Sequence, residues 1–197
     1  MRPITKLISG CLLVVGFTAG VMGNSAAQTQ SALRARAAIG GAPGSGISGR
    51  ALFEQTQDGI LPTVEVSVFV RGLEPNTVHG VHIHEIGNCT PPDFLGAGGH
   101  FDPGPFGMSN PDANHPFHMG DLINLEADDR GRAFFIYQTS RITLSDSLVS
   151  IFDGDGSAVI IHLNPDQGIT GESGSGVSGG PRIACGVITP VNFEPGN

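Results

Sequence analysis

Residues 64–71 read Val-Glu-Val-Ser-Val-Phe-Val-Arg, with a valine at every second position from residue 64 to residue 70. Successive side chains of a β-strand point to opposite faces, so this period of two predicts a strand with one face in a hydrophobic core. Further strand-like runs lie at residues 50–56, 78–85, 131–138, 147–152, 157–163 and 183–188. The Asp58-Gly59 pair between the first two strands favours a hairpin.

The stretches between these strands indicate where functional residues lie. Residues 87–125 and 164–181 have no regular hydrophobic period and are rich in glycine and proline. The 197-residue chain contains 30 glycines and 14 prolines, which disfavour long helices, while its 39% hydrophobic residues suffice for one core. We therefore predict an all-β domain, a β-sandwich or barrel, whose two long loops carry the function.

The charge balance argues against a nucleic-acid partner. The chain has 10 Lys+Arg residues against 18 Asp+Glu residues, which gives a formal net charge of −8. Only one of the basic residues is a lysine, Lys6, and the basic residues form no cluster in the sequence. Proteins that bind phosphate backbones need clustered positive charge, so no nucleic-acid partner is expected.

The first segment has the three parts of a secretory signal peptide. Arg2 and Lys6 precede an apolar run at residues 7–22, and Ser25-Ala26-Ala27 supplies small residues for cleavage. The run is short for a membrane span, so no stable membrane insertion is expected. A lipoprotein is the alternative, because Ile8-Ser9-Gly10-Cys11 loosely resembles a lipid-attachment box; it is disfavoured because the apolar region would then shrink to residues 7–10.

We expect residues 1–27 to be removed during export to the periplasm or the extracellular space. Residues 28–48 are then predicted to be a flexible Gly/Ala/Ser-rich N-terminal segment, residues 49–190 the domain, and residues 191–197 a C-terminal tail. Of the three cysteines, Cys11 leaves with the signal peptide, whereas Cys89 and Cys185 remain. An oxidising compartment makes an intramolecular disulfide the default; two buried free thiols are the alternative, which export disfavours.

The histidines carry the strongest functional signal. His82 and His84 are two apart on a predicted strand, so their rings project from the same face and can present two nitrogens to one metal. His162 ends another strand, and the first long loop contains a further set of candidate ligands: His100, His115, His118 and Asp121. Nitrogen-rich sites suit copper or zinc, and an added carboxylate favours zinc over copper(I). His79 has the wrong strand parity to join His82 and His84 and is interpreted as structural.

One motif in the second long loop is set aside. Gly176-x-Ser178-x-Gly180 matches the nucleophile elbow of hydrolases. That motif requires a helix after the serine, and no helix-forming sequence follows here. We interpret residues 176–180 as a loop.

Four short motifs, taken in order, resemble the copper/zinc superoxide dismutase family. They are Gly-Val-His-Ile-His-Glu at residues 80–85, Gly-Gly-His-Phe-Asp-Pro at 98–103, His-Met-Gly-Asp-Leu at 118–122 and Gly-Pro-Arg-Ile-Ala-Cys-Gly-Val-Ile at 180–188. Each is a weak pattern alone, but together they extend over roughly residues 50 to 190. The resemblance, to a secreted or periplasmic bacterial-type member, implies a Greek-key β-sandwich or flattened barrel.

The resemblance also implies roles for individual residues. Copper would be held by His82, His84, His100 and His162, and zinc by His100, His118 and Asp121, so that His100 bridges the two metals. Asp166 would link a copper histidine to a zinc histidine, which fixes ring orientation and tautomer. Arg182 would guide and orient the anionic substrate, and Cys89 and Cys185 would form the disulfide. Without Lys6 the exported chain has no lysine, so long-range steering of an anion is expected to be weak.

The sequence departs from the family pattern at one zinc histidine. That residue usually follows the bridging histidine by about eight positions, where this chain reads Gly-Met-Ser at residues 107–109. Asp112 and His115 are the candidate replacements in the same loop. We expect His115 to ligate zinc, because an imidazole is the closer chemical match; a three-coordinate or water-completed site is the alternative.

The implied activity is the disproportionation of superoxide to oxygen and hydrogen peroxide, by alternate reduction and reoxidation of copper. Superoxide would be the small-molecule partner, and a homodimer is one assembly that the family allows. Two other functions remain open on the same fold: a copper-carrying or buffering protein without turnover, and a β-sandwich that uses zinc and a disulfide only for stability. The complete copper set together with Arg182 disfavours both, because stability alone needs no open redox site and a copper carrier needs no anion-orienting arginine.

Overall fold

The computed structural model describes residues 33–57, 60–104 and 107–191. The expected signal peptide, residues 58–59 of the predicted hairpin turn and residues 192–197 of the expected tail lie outside these ranges. The strands of the described chain are β1 (Leu33–Gly41), β2 (Ser48–Thr56), β3 (Thr63–Arg71), β4 (Val78–His79), β5 (Val81–His84), β6 (Leu125–Glu126), β7 (Arg132–Thr139), β8 (Ala158–His162) and β9 (Arg182–Pro190). A 3-10 turn spans Leu95–Ala97. No helix within the described ranges is long and apolar enough to span a membrane.

Seven of these strands form one antiparallel sheet in the order β5-β8-β9-β1-β2-β3-β7, and β4 pairs with β6. Strand β5 follows β3 and β4 in the chain but lies at the far edge of the sheet. Such a connection to a distant strand is typical of Greek-key folds. The prediction of an all-β fold with two long loops is confirmed.

The core lies on the inner face of the curled sheet. Val64, Val66, Val68 and Val70 of β3 are all 0% exposed, as the period of two predicted. They pack in one cluster with the inward side chains of the neighbouring strands, among them Phe53 of β2. The long loops connect the strands that enclose this core.

Gly80 divides the predicted strand 78–85 into β4 and β5. A Cβ atom at Gly80 would lie 3.3 Å from both the Cβ and the backbone nitrogen of Asp166, so the close approach of the second long loop favours glycine here. β4 turns to pair with β6, whereas β5 pairs with β8. As a result, Val81 and Ile83 enter the hydrophobic core, and the alternate residues His82 and His84 are buried under the loops.

The prediction of a flexible segment at residues 28–48 is wrong for residues 33–41, which form β1 at the centre of the sheet. Ala35, Ala37 and Ile39 are 2%, 2% and 4% exposed, whereas the residues between them are exposed. The period of two was therefore present, but it was carried by small alanines in a composition that resembled a linker. β1 pairs with both β2 and β9, and this pairing stabilises the strand.

The predicted strand at residues 147–152 is also wrong. This segment forms turns, with an isolated bridge between Thr143 and Ser150. Ser and Thr side chains compete with strand pairing by bonding to nearby backbone groups. Here the hydroxyls of Ser147 and Ser150 accept hydrogen bonds from the backbone nitrogens of Val149 and Phe152, at 3.2 Å and 3.3 Å. Ile151 is nevertheless 0% exposed, so the hydrophobic signal came from a packed loop rather than from a strand.

A disulfide between Cys89 and Cys185 joins the first long loop to β9 across a sequence separation of 96 residues. This confirms the pairing expected from the sequence. The bond fixes the loop beside the strand that begins with Arg182, and both cysteines contact a small second cluster of buried residues around Phe94 and Ile160.

The two faces of β1 provide a test of its place in the sheet. In the Ala37→Asp variant, a carboxylate would be buried among β2 and β9 without a partner, so we expect the free energy of unfolding to fall by roughly 3 kcal/mol or more. In Ala38→Asp the same carboxylate would point to solvent from the opposite face and should change stability by less than about 0.5 kcal/mol. Urea unfolding of both variants measures the difference. Equal small effects would show that β1 is not part of the folded sheet.

Candidate metal centre

Six histidine rings and one carboxylate meet where β5, the end of β8 and the first long loop come together. His82 and His84 come from β5, His162 ends β8, and His100, His115, His118 and Asp121 come from the loop. The rings of the loop and β5 histidines are 0% exposed, His162 is 2% exposed and Asp121 is 3% exposed. Isolated β-bridges join His84 to His100 and His82 to Asp121, so backbone pairing aligns the loop with β5.

The first group consists of His82, His84, His100 and His162, which each offer one nitrogen within 4.8 Å of the others. The Nε2 atoms of His84 and His162 are 3.4 Å apart, and the ring centroids of His82 and His100 are 4.0 Å apart. This is the set that the resemblance assigned to copper. The rings come from two strands and a loop that are distant in sequence, and the fold brings them together.

The outer nitrogen of each ring in this group has a defined partner. His84 Nδ1 lies 3.1 Å from the Gly98 carbonyl oxygen, and His162 Nδ1 lies 2.9 Å from that of Gly180. Since a carbonyl oxygen only accepts, both Nδ1 atoms donate and both Nε2 atoms keep their lone pairs. His82 Nδ1 and His100 Nε2 are buried with no hydrogen-bond partner. Unpartnered buried nitrogens are costly, and a metal ion bound by four lone pairs would satisfy them.

The second group surrounds Asp121. Its carboxylate oxygens lie 2.7 Å from His100 Nδ1, 3.2 Å from His115 Nδ1 and 3.0 Å from His118 Nδ1. The contact with His115 has no hydrogen-bond geometry, so this nitrogen is also buried without a partner. Imidazole nitrogens together with a carboxylate are ligands that suit zinc. His82 also has a ring nitrogen within 4.8 Å of His100, His115 and Asp121.

Asp166 from the second long loop connects the two groups. One carboxylate oxygen lies 3.0 Å from His82 Nε2 and the other lies 2.6 Å from His115 Nε2. The side chain of Asn124 holds Asp166 in place through two hydrogen bonds of 2.9 Å with its backbone. Asn124 was not identified in the sequence, because a single asparagine in a loop gives no local signal of its distant partner.

Burial is the main cause that lowers the pKa of the histidines in the first group. The pKa falls to about 4 for His82 and His100 and to about 3 for His162, and that of His84 lies well below its usual value. Neighbouring rings lower these values further because two charged imidazoles repel each other. These four rings are therefore neutral at pH 7 and have lone pairs to offer.

In the second group, the pKa of His115 is raised, whereas the pKa values of the two nearby carboxylates are lowered. Burial lowers the pKa of His115, but the close carboxylates of Asp121 and Asp166 outweigh it and raise the pKa to about 9. Burial alone would raise the pKa of Asp121 and Asp166, yet hydrogen bonds from histidines hold both values below the usual range of a carboxyl group. The negative charge of these two carboxylates therefore favours the binding of a cation in this part of the site.

Arg182 lies half-buried at the start of β9, beside a cavity of about 470 Å³ that reaches His162. Its guanidinium donates to the carbonyl oxygens of Phe94, at 2.7 Å, and Gly98. Burial lowers its pKa, and the nearby charge of Asp93, which also lines the cavity, opposes this shift. The arrangement presents a positive, oriented side chain in the cavity.

His79, interpreted as structural from its strand parity, lies outside both groups. Its Nδ1 atom is 2.8 Å from the carbonyl oxygen of His162, and its Nε2 atom is 2.7 Å from the Thr77 hydroxyl. Both nitrogens therefore have protein partners. The ring connects β4 to the end of β8 rather than offering a free lone pair.

Comparison with known proteins agrees with this geometry. The sequence model for copper/zinc superoxide dismutase matches residues 47–188. The chain belongs to this family. Two copper/zinc superoxide dismutases of Aquifex aeolicus are 38% identical over 143 residues and 34% identical over 191 residues, which cover 71% and 95% of this chain and 79% and 99% of their own. A crystal structure of a SOD-like protein from Bacillus subtilis is 32% identical, with a TM-score of 0.64 over 77% of this chain and 96% of that one.

The matched residues of this superoxide dismutase family member contain both histidine groups, both disulfide cysteines and Arg182. The match begins at Ile47 and therefore omits β1, which nevertheless lies between β2 and β9 in the sheet. The longer of the two Aquifex matches covers nearly the whole chain. Similarity beyond the matched domain is consistent with a structural role for β1.

The lowered pKa values of the first group predict how the metal-free protein responds to acid. In the unfolded chain these histidines bind protons near pH 6.5, whereas in the folded chain they do so only near pH 3–4. Between these values the unfolded state binds more protons, so the free energy of unfolding should fall as the pH drops from about 6.5 toward 4. A tenfold difference in one group's proton affinity between the two states corresponds to about 1.4 kcal/mol.

Denaturant unfolding of chelator-treated protein across this pH range measures the slope. A His162→Gln variant removes one of the buried titrating groups and should give a shallower slope. A flat profile for the unsubstituted protein would contradict the prediction.

Proposed function

We propose that this protein disproportionates superoxide, converting two anions and two protons into one molecule of oxygen and one of hydrogen peroxide. The observation that carries the proposal is the convergence of four neutral imidazole nitrogens beside a cavity that contains Arg182. The family to which the chain belongs, and the activity for which its Aquifex relatives are named, support the same reaction. Copper bound by the imidazoles would supply the reversible one-electron chemistry that the reaction needs.

We assign copper to His82 Nδ1 and to the Nε2 atoms of His84, His100 and His162. The support is that the opposite nitrogen of three of these rings contacts Gly98, Gly180 or Asp166, which leaves the stated atom free. His100 Nε2 is buried and unpartnered on the same side. The set is rich in nitrogen, as copper sites are.

Zinc is assigned to the Nδ1 atoms of His100, His115 and His118 and to the carboxylate of Asp121. His118 is preferred to His82 for this group because the only free nitrogen of His82 is already assigned to copper, whereas His118 Nδ1 lies 3.0 Å from Asp121. His115 is supported by its contact with Asp166, which also holds His82. Zinc keeps one charge state and would organise the site rather than exchange electrons.

The protein's own groups would perform three tasks. Arg182 would attract the anion into the cavity and orient it, since its guanidinium is held by two carbonyl oxygens. His100 is placed between the two groups, and its Nε2 atom can hold a proton and pass it to the reduced product. Burial of the rings excludes bulk water and keeps them in fixed tautomers.

We also propose that the protein acts outside the cytoplasm, with residues 1–27 removed as a signal peptide. The disulfide between Cys89 and Cys185 supports this location, because such bonds persist in oxidising compartments. The basic, apolar and small-residue parts of the N-terminal sequence support it independently. Formation of a homodimer stays a prediction.

Metal analysis combined with an assay of superoxide decay tests the proposed function. We expect one copper and one zinc per chain together with turnover. His100→Ala should weaken the binding of both metals, because the two nitrogens of His100 belong to different groups. His84→Ala should mainly weaken the binding of copper. His79→Gln is the control, since both nitrogens of His79 have protein partners. Copper binding without turnover would favour the copper-carrying alternative, and unchanged metal content in His100→Ala would disprove the bridge.

The role of Arg182 is tested by Arg182→Gln. We expect kcat/KM for superoxide to fall by about tenfold or more, because a positive charge in a cleft raises the encounter rate of an anion by about 10–10³-fold. Metal content should remain unchanged, and the dependence of the rate on salt should weaken. Arg36→Gln removes the same charge from an exposed position on β1 and serves as the control. Equal rates for the two variants would show that Arg182 does not guide the substrate.

A further inference from the structure

The carboxylate of Asp112 is a buried group that the proposed chemistry does not use. Asp112 was a candidate replacement for the missing zinc ligand, but its carboxylate contacts the second long loop instead. It accepts hydrogen bonds from the backbone nitrogen of Gly176 at 3.0 Å, and from the backbone nitrogen and hydroxyl of Ser178 at 3.1 Å and 2.8 Å. Asp112 is only 5% exposed. Burial would raise its pKa, but these hydrogen bonds outweigh that effect and lower it, so the group is charged at neutral pH.

The donor side of this contact is the Gly176-x-Ser178-x-Gly180 motif, to which the sequence alone assigned no role. Gly174 and Gly176 have φ values of 80° and 76°, a region that residues with side chains rarely adopt. These two residues turn the backbone so that the nitrogens of Gly176 and Ser178 both reach one carboxylate. The turn that binds the Asp112 carboxylate therefore favours glycine at positions 174 and 176.

Further hydrogen bonds join the same two segments around this contact. The backbone nitrogen of Gly171 donates to the Asp112 carbonyl oxygen at 2.8 Å, and Asn110 Nδ2 donates to the Ser173 hydroxyl at 2.7 Å. The Thr170 hydroxyl donates to the carbonyl oxygen of His115. Hydrogen bonds thus connect residues 110–115 to residues 170–178. His115 is the last residue of the connected segment.

We propose that Asp112 is a positioning residue that holds His115 at the zinc-facing point of the site. His115 reaches this point from a loop in which the family's usual histidine is missing, so its backbone needs a separate anchor. Asp112, three residues before it, supplies that anchor by binding the turn at residues 176–178. The same contact fixes one wall of the cavity that contains His162 and Arg182, because Asp112, Gly176 and Ser178 all line it. The inference rests on the proposed zinc site.

The contact requires a carboxylate rather than any side chain of similar size. Three donors converge on two acceptor oxygens, and an ionised carboxylate accepts all of them. In Asp112→Asn one oxygen becomes an NH₂ group that faces a donor, so at least one hydrogen bond is lost and a repulsive contact replaces it. The isosteric change is therefore expected to loosen the loop.

The affinity for zinc alone, measured on copper-free full chain with a competing chromophoric chelator, tests the proposal without reference to turnover. Asp112→Asn should raise the zinc dissociation constant by about 10- to 100-fold, as loss of a residue that orients a metal ligand does. Glu172→Gln is the matched control, because it removes one negative charge from an exposed position of the opposing loop. It should leave the dissociation constant nearly unchanged.

A double-mutant cycle with His115→Ala separates positioning from general stability. If Asp112 acts through His115, Asp112→Asn should weaken zinc binding no further once His115 is absent. Additive losses in the double variant, or wild-type affinity in Asp112→Asn, would overturn the proposal. Unchanged affinity in His115→Ala would overturn the zinc assignment itself, and so identify a failure of the proposed function rather than of the anchor.

The milder Ser178→Ala variant covers the case in which Asp112→Asn does not fold. It removes one hydrogen bond to the carboxylate and should raise the zinc dissociation constant by roughly threefold to tenfold. The effect should again vanish in the His115→Ala background. Wild-type affinity in Ser178→Ala, when Asp112→Asn cannot be produced folded, would count against the proposal.

Discussion

The other features of this site depend on one constraint, which is the burial of six imidazole rings at one end of the sheet. A buried ring nitrogen needs either a hydrogen-bond partner or a metal, because leaving it unpartnered costs about 1–3 kcal/mol. Backbone carbonyls of Gly98 and Gly180 satisfy two rings, and Asp166 satisfies two more. His100 Nδ1 and His118 Nδ1 contact Asp121, whereas His82 Nδ1, His100 Nε2, His115 Nδ1 and His118 Nε2 are buried without a hydrogen-bond partner. These buried nitrogens could be satisfied by bound metal ions.

The two halves of the site are supported in different ways. On the proposed copper side, His82 and His84 lie on β5 and His162 ends β8, so three of the four rings come from the sheet. The proposed zinc side belongs to the first loop and needs anchors from elsewhere. Arg141, just after β7, donates to the carbonyl oxygens of Pro116 and His118 at 3.2 Å and 3.1 Å. Asp112 and the disulfide add two more anchors, so the loop is held from several sides.

The pairing of charges would allow a strongly acidic chain to attract the proposed anionic substrate. Asp121 and Asp166 lie among histidines, and cations bound there would neutralise them. Arg182 then faces the cavity as a cationic group close to the proposed copper side. Asp93 beside it opposes this field, and the exported chain would have no lysine to add to it. In the proposed function, guidance of the anion would therefore be short-range and would depend mostly on Arg182.

The sequence by itself determined the strands with a clear period of two, the family motifs and the identity of most candidate ligands, because these signals are local. The prediction was wrong for β1, because its alanine-rich composition resembles that of a linker. It was also wrong for residues 147–152, because the buried hydrophobic residues of a loop there resemble those of a strand. Only the tertiary structure decided that His115 reaches Asp121 and Asp166, and that Asp112 binds residues 176–178. The contacts with Asp166 and with Ser178 join loops 51 and 66 residues apart in the chain, and nothing in a local pattern encodes the distance between such residues once the chain has folded.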